Sequence, residues 1–384
     1  MSLAFWLAVL LIGYIYLGYP ALLELTARLR RRNVQHDDGY RPSVSILVPA
    51  HNEADVIAET LHNKLELDYP ADRFEIIVVS DESTDGTDAI VDDIAQRASV
   101  PVRLERQSPR RGKTAGINRL AALAKGEILA FADANSIWQE QALKYLVSNF
   151  ADAGVGYVTG KMVYVHCDGS LVGDGCGAYM RYENWLRTRE TETGSVVGVD
   201  GGVDAMRRTL YTELRWDQLP DFVQPLTVVE QGYRVIYEPR ALLKETALAT
   251  NDGEFSMRVR VTVRALWALR DMAHLMNPIR YGLFGLQLIS HKCLRYLAFI
   301  PLAIAAITSL ALAPAHPVYL AAAACQAVFY GAAAAGLHRD RAGKSVPSVI
   351  NLAYYFSLLN LACLCAAVAF CRGDRRATWT PRKG

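Results

Sequence analysis

The residues best suited to chemistry lie in short polar segments. Pro49-Ala-His-Asn-Glu53, Ser80-Asp-Glu-Ser83 and Asp133-Ala-Asn135 each come directly after a short apolar run. Gly112-Lys113 precedes a helical pattern, and Asp221 comes after Pro220. Carboxylate and amide oxygens accept hydrogen bonds, and a lysine offers three donors and a charge. Asp and Asn also make turns, so no single segment decides anything. Three acidic or amide clusters after three apolar runs are harder to explain as turn chemistry and point to a ligand. The seven cysteines (Cys167, Cys176, Cys293, Cys325, Cys363, Cys365, Cys371) include no Cys-x-x-Cys pair. Their odd number and spacing argue against a disulfide framework or a zinc site, and buried free thiols are expected. His51, His166 and His291 lack the spacing of metal ligands. A formal net charge of +2 gives no bulk attraction to nucleic acid.

The elements that must hold these residues alternate from Ser43 onward. Val44–Val48, Phe74–Val79, Val102–Glu105 and Glu127–Phe131 read as strands. Ala54–Leu67, the run to Arg97, and Lys113–Ala124 read as helices. Such alternation predicts an α/β class with a mainly parallel sheet under helices. Open sheets of this kind bind ligands beyond the carboxyl ends of their strands, where the polar clusters fall. The basic stretch Arg30–Arg41 reads as a linker.

Apolar residues make up 52% of the chain, and they gather at its two ends. Leu3–Leu23 is nearly all apolar, with Arg28, Arg30, Arg31 and Arg32 close behind it. About 20 such residues cross a bilayer, and the basic flank places the next stretch of chain in the cytoplasm. Leu294–Leu312, Val318–Leu337 and Val349–Phe370 are three more candidate spans. Four spans from an outward N-terminus leave the tail with Arg372, Arg375, Arg376, Arg382 and Lys383 outside, against the positive-inside rule. Either the rule yields here or one segment is not a full span. Between Arg258 and Lys292, basic and apolar residues alternate at near-helical spacing, which suits helices in the headgroup plane. The expected layout is a transmembrane helix over 1–27, a soluble domain over 40–253, interfacial helices over 254–292, further spans over 293–371 and a basic tail over 372–384.

The ordered set Pro49-Ala-His-Asn-Glu53, Ser80-Asp-Glu-Ser-Thr-Asp-Gly-Thr87, Gly112-Lys113 and Asp133-Ala-Asn135 resembles glycosyltransferase family 2. The likeness continues through Tyr182-Glu183, Val199-Asp-Gly-Gly202, Arg207-Arg208, Asp221, Gly232-Tyr-Arg-Val235, Ser290-His-Lys292 and Arg295. With the apolar ends, it is similar to the membrane branch that holds cellulose, chitin and hyaluronan synthases. The resemblance implies a Rossmann-like GT-A domain in the cytoplasm, multi-pass anchoring in the inner (plasma) membrane, and an inverting hexosyltransferase. It implies a nucleotide-sugar donor, a UDP-sugar by resemblance, with Mg²⁺ or Mn²⁺. It further implies a lipid-linked or polysaccharide acceptor, contact with membrane lipids, and partners in export or assembly. Pro49, His51, Glu53, Asp81, Lys113 and Asp133 then bind nucleotide, and Asp133 and Asn135 hold metal. Asp221, eleven residues before Gly232, is the expected catalytic base, with Asp217 and Glu230 as acidic rivals. Arg260, Arg264 and Trp267 fall where processive relatives carry Gln-x-x-Arg-Trp for diphosphate and acceptor, but that motif is absent. Other departures are Ser80, Pro220 and Asn135; the amide predicts weaker metal binding, not its loss. A single-transfer lipid glycosyltransferase, and a non-catalytic scaffold for glycan export, are the competing readings.

Overall fold

A computed structural model describes residues 1–165, 175–246 and 251–375. His166, Cys167 and the tail residues Arg376, Arg382 and Lys383 lie outside the described residues, as does the Cys176 side chain. The chain forms two compact units. One comprises Arg30–Leu171 and Arg187–Ala247; the other gathers Met1–Leu29, Val172–Leu186 and Leu248–Arg375.

The first unit is built on an eight-stranded sheet. Its strands are β1 (Val44–Ala50), β2 (Phe74–Asp81), β3 (Val102–Gln107), β4 (Ile128–Phe131), β5 (Ile137–Trp138), β6 (Val155–Val165), β7 (Asp204–Arg207) and β8 (Arg234–Thr246), in the order β3-β2-β1-β4-β7-β6-β8-β5. Strands β1 to β4 are mutually parallel, and β7 runs antiparallel to β4 and β6. Successive strand side chains point to opposite faces, and both faces are buried here. Ile46, Val48, Ile76, Val78, Ile128 and Ala130 enter one core with Ile57, Leu61 and Val91 of the helices Ile57–Leu65 and Thr87–Arg97. Leu47, Ile77, Val79, Leu129 and Phe131 enter the other with Ile117 and Leu120 of the helix Lys113–Leu123. That two-sided burial is why these strands read as continuous apolar runs.

Register then fixes what lies at the carboxyl edge. Ala50 pairs with Ser80, and Leu47 with Phe131, so the segments after β1, β2 and β4 leave the sheet on one side. Because β7 is antiparallel, Asp204 pairs with Phe131, and the turn before it lies at that same edge. The linker has no regular structure but is tied down: the Arg32 amide donates to the Glu192 carbonyl, and Arg31 pairs with Glu192.

Among the described residues of the second unit, three helices are long and apolar enough to cross a membrane: Ser2–Leu29, Pro317–Arg341 and Ser348–Cys371. The fourth apolar segment is not one straight helix. Leu283–Tyr296 and Phe299–Leu312 form a pair bent by 55°. Taken as one span, the pair brings the number of candidates among the described residues to four. Asn251–Asp271 is one helix whose Val259 and Val263 pack on Ala362 and Ala366. Tyr19 and Leu23 pack on Leu186, and the buried Glu183 carboxylate pairs with Arg295 and His291. The expectation of buried thiols fails: Cys325, Cys365 and Cys371 are exposed, and Cys293 and Cys363 only half-buried. Cys325, Cys363, Cys365 and Cys371 lie on the apolar helices Pro317–Arg341 and Ser348–Cys371.

Candidate functional site

At the carboxyl edge, Lys113 Nζ lies 2.6 Å from Asp133 Oδ1 and 3.6 Å from Asp221 Oδ2. One ammonium therefore joins the acid after β4 to the acid expected as base. Lys113 is 14% exposed, but Asp133 is 39% and Asp221 26% exposed, so both carboxylates remain open to a ligand. The turn before β7 makes the closeness possible. Gly201 and Gly202 have φ of +80° and +74°, and a Cβ on Gly201 would lie 2.9 Å from Asp221 Cγ. Only glycine takes this backbone at little cost and leaves that space.

Asp221 is placed by its neighbours. Pro220 occupies the first turn of the helix Pro220–Glu230, with Leu219 as N-cap. Proline is pre-set for this position, and the free N–H groups of a helix start favour a negative charge. The loop leading in is held by the Lys113–Leu123 helix. Thr114 Oγ1 donates to the Gln218 carbonyl, Asn118 Nδ2 to the Leu214 carbonyl, and Tyr211 Oη to Asn118 Oδ1. Lys113 and Asp221 are thus set by one helix. The rivals are elsewhere: Asp217 pairs with Arg215, and Glu230 is exposed at the far end of Asp221's helix.

Asp81, expected to bind nucleotide, is buried and already met by protein. Its carboxylate accepts from Gln107 Nε2 at 2.6 Å and from the backbone amides of Arg111 and Gly112 at 2.8 Å. It thereby fixes the loop that leads to Lys113. His51 Nδ1 lies 2.7 Å from the Asp81 carbonyl, and since a carbonyl only accepts, the proton sits on Nδ1. Pro49 pairs in register with Val79. Glu53 is buried; burial first, then the nearby charges of Asp133, Asp85 and Asp55, push its pKa up to about 7. Along the Lys113 helix, an open cleft of about 580 Å³ is lined by Arg110, Arg111, Asn118, Glu213 and Trp216.

Among the described residues, no three His, Cys, Asp or Glu side chains cluster tightly enough to hold a metal. A cation shared with a substrate needs fewer protein ligands: Mg²⁺ is commonly held by one or two carboxylates plus phosphates and water. Asp133, half-exposed beside the Lys113 ammonium, and the half-buried Asn135 are hard oxygen donors of that kind. The donor set therefore fits a divalent ion.

Some residues at this edge were not singled out from sequence. Asp204, fully buried beside Thr159 and Tyr157, is pushed up to about 8 by burial and then by Asp221 and Asp200. Asp200 itself is held in a buried ion pair by Arg187. Only the Val199-Asp-Gly-Gly202 motif hinted at them. Arg207 and Arg208 tie backbone carbonyls instead of presenting charge. Arg260, Arg264 and Trp267 belong to the second unit. Trp267 Nε1 donates to the Asp374 carbonyl there, and the indole packs on Phe370 and under Arg375.

Residues 45–214 match the family model "Glycosyl transferase family 2". The chain is 30% identical over 212 residues to beta-monoglucosyldiacylglycerol synthase of Nostoc sp. (strain PCC 7120), covering 54% of this chain and 45% of that one. It is 26% identical over 294 residues to poly-beta-1,6-N-acetyl-D-glucosamine synthase of Staphylococcus aureus, covering 72% and 67%. The chain spans about half the length of the first curated relatives it matches. Among solved structures, the mannosyltransferase PcManGT of Pyrobaculum calidifontis, in complex with GDP-Man and Mn²⁺, superposes with a TM-score of 0.73 at 25% identity, covering 97% of this chain and 99% of that one. Residues 45–214 are therefore a glycosyl transferase family 2 domain, carried on a sheet of the GT-A type.

Proposed function

We propose that the chain is an inverting hexosyltransferase that moves sugar from a nucleoside diphosphate donor to an acceptor held at a membrane. One observation carries this: Asp133 and Asp221 meet on a single ammonium, Lys113. The reaction needs positive charge at a departing diphosphate and a base at the attacking hydroxyl, and this edge brings both together. Asp221 takes the acceptor's hydroxyl proton as that oxygen bonds to the anomeric carbon. The bond from that carbon to the diphosphate oxygen breaks, and its electron pair leaves with the diphosphate. Attack from the face opposite the leaving group inverts the carbon. Such a base contributes typically ~10²- to 10⁴-fold. Lys113 meets the leaving charge, and Asp81, through its grip on Arg111 and Gly112, shapes the loop that presents Lys113. Pro49, His51 and Glu53 complete the nucleoside side. Mg²⁺ or Mn²⁺ at Asp133 and Asn135 would supply Lewis-acid stabilisation of the diphosphate.

The resemblance points to a UDP-sugar, while the solved neighbour holds GDP-Man, so both donor classes are tested. The acceptor is a lipid-linked saccharide or a growing polysaccharide chain, as the relatives' names suggest. Single transfer to a glycolipid or polyprenyl phosphate is the second reading; the match to the glucosyldiacylglycerol synthase favours it. The helices and the Arg28–Arg32 flank support a multi-pass plasma-membrane protein with its sheet unit in the cytoplasm. Membrane vesicles containing the chain, given Mn²⁺ and a panel of UDP- and GDP-sugars, test the reading. Release of nucleoside diphosphate that requires Asp221 supports it. A ladder of products means polymerisation, and one band means single transfer. No release from any donor would favour the scaffold.

A further inference from the structure

The helix Ile57–Leu65 presents three polar side chains three and four residues apart on one face: Thr60, Asn63 and Lys64. All three grip backbone between the end of β4 and the end of β5: Thr60 and Lys64 hold the turn, and Asn63 holds Trp138. Thr60 Oγ1 donates to the Ala134 carbonyl at 2.7 Å. Lys64 Nζ donates to the Ser136 carbonyl at 2.6 Å and to Asn63 Oδ1 at 2.8 Å. Asn63 Nδ2 donates to the Trp138 carbonyl, and Asn63 Oδ1 accepts from the Trp138 amide. Lys64 is wholly buried with its nitrogen 4.7 Å from the centre of the Trp138 ring. Burial drives its pKa well down, and even a neutral amine keeps the two N–H groups these bonds need.

This clamp holds the metal turn. Ser136 Oγ accepts from the Asp133 amide, and the Ser136 amide donates to the Asp133 carbonyl. Trp138 Nε1 then donates to the Gly202 carbonyl at 2.7 Å, in the turn that lies against Asp221. A lysine is an expensive residue to bury, and here its nitrogen is spent on the backbone of this turn and on Asn63.

We infer that Lys64, with Thr60, is a positioning residue that fixes the Asp133–Asn135 turn for a divalent cation. This rests on the reading of Asp133 as a metal ligand. With only one charged ligand in the motif, affinity depends on how well that turn is held. Loss of a partner behind a metal ligand typically costs roughly 10- to 100-fold in metal affinity.

The test is Mn²⁺ binding to the full chain in detergent, read from loss of the free Mn²⁺ paramagnetic signal, with UDP and separately with GDP. Lys64→Met and Thr60→Val should each raise the Mn²⁺ concentration for half-occupancy about tenfold. Tyr69→Phe removes an equally buried bond, to the Pro42 carbonyl, and should lower stability without moving Mn²⁺ affinity. Should Lys64→Met fail to fold, Thr60→Val decides alone. Wild-type affinity in Lys64→Met and Thr60→Val, with Asp133→Ala impaired, overturns the positioning role only. Unchanged affinity in Asp133→Ala, or no uptake by the wild type with either nucleotide, overturns the metal reading and this inference with it.

Discussion

Gly201→Ala should cripple transfer while leaving the protein folded, and the size of the effect is set by the turn before β7. At φ +80° an alanine is strained, which costs about 1 to 3 kcal/mol. Its Cβ would also sit 2.9 Å from Asp221 Cγ and 3.0 Å from Oδ2, where ordinary contact begins at 3.4 Å. The carboxylate must then retreat by roughly half an ångström or more, and a displacement of about 1 Å can cost ~10²-fold in rate. Gly232→Ala is the control. Its φ is +87°, yet nothing lies within 4 Å of the added carbon. Both variants suffer similar backbone strain, but only Gly201→Ala moves Asp221. Release of nucleoside diphosphate per folded molecule, with folding checked by circular dichroism, should fall about 10- to 100-fold in Gly201→Ala and stay near wild type in Gly232→Ala. Equal rates in the two variants would mean that Asp221 does not act at the reacting carbon.

Further outcomes are expected from the same edge. Asp221→Asn should lower transfer by ~10²-fold or more while nucleotide binding, measured by calorimetry, is retained; wild-type turnover would place the base elsewhere. Asp133→Ala should shift the Mn²⁺ dependence of activity to higher concentration, and an unmoved titration would remove it as a ligand. Asp204 has its pKa raised from 3.8 to about 8 by burial, then by Asp221 and Asp200. Its contribution to stability is therefore full below about pH 4 and lost as pH rises through about 8. Asp204→Asn, neutral throughout, should gain stability relative to wild type as pH goes from 5 to 9; parallel thermal-unfolding profiles would contradict this.

The half of the sheet unit that a sequence reveals is the half made of local, two-sided apolar strands. Strands β1 to β4 and their helices appear within a few residues of the expected bounds, because each is a compact apolar run closed by turn residues. The rest is set by distant pairing. Strand β5 has two residues, β7 has four and opens on a buried aspartate, and β6 and β8 draw their identity from each other. No periodicity announces such strands, and the closeness of Asp133 to Asp221 depends on one of them. That Asp133 and Asp221 belong to one site is legible only through resemblance, and their meeting on Lys113 is not legible at all. The chain's spacing says nothing of Thr114 and Asn118, which do the joining through main-chain carbonyls.

The departures from the family pattern look different once the backbone is in view. Pro220 replaces an acid, yet it stands at the helix start, where its fixed φ orders the first turn that carries Asp221. Ser80 also replaces an acid, on a wholly buried position of β2. A second carboxylate there would face the desolvation that already raises Glu53, so a small hydroxyl is the cheaper occupant. Asn135 gives up a charge on the turn proposed to hold metal, and the same turn is clamped from behind by Thr60, Asn63 and Lys64. A site that loses ligand charge can recover affinity through rigidity, because a fixed ligand surrenders less freedom on binding. On that argument the substitutions at 80, 135 and 220 are compatible with the proposed transferase.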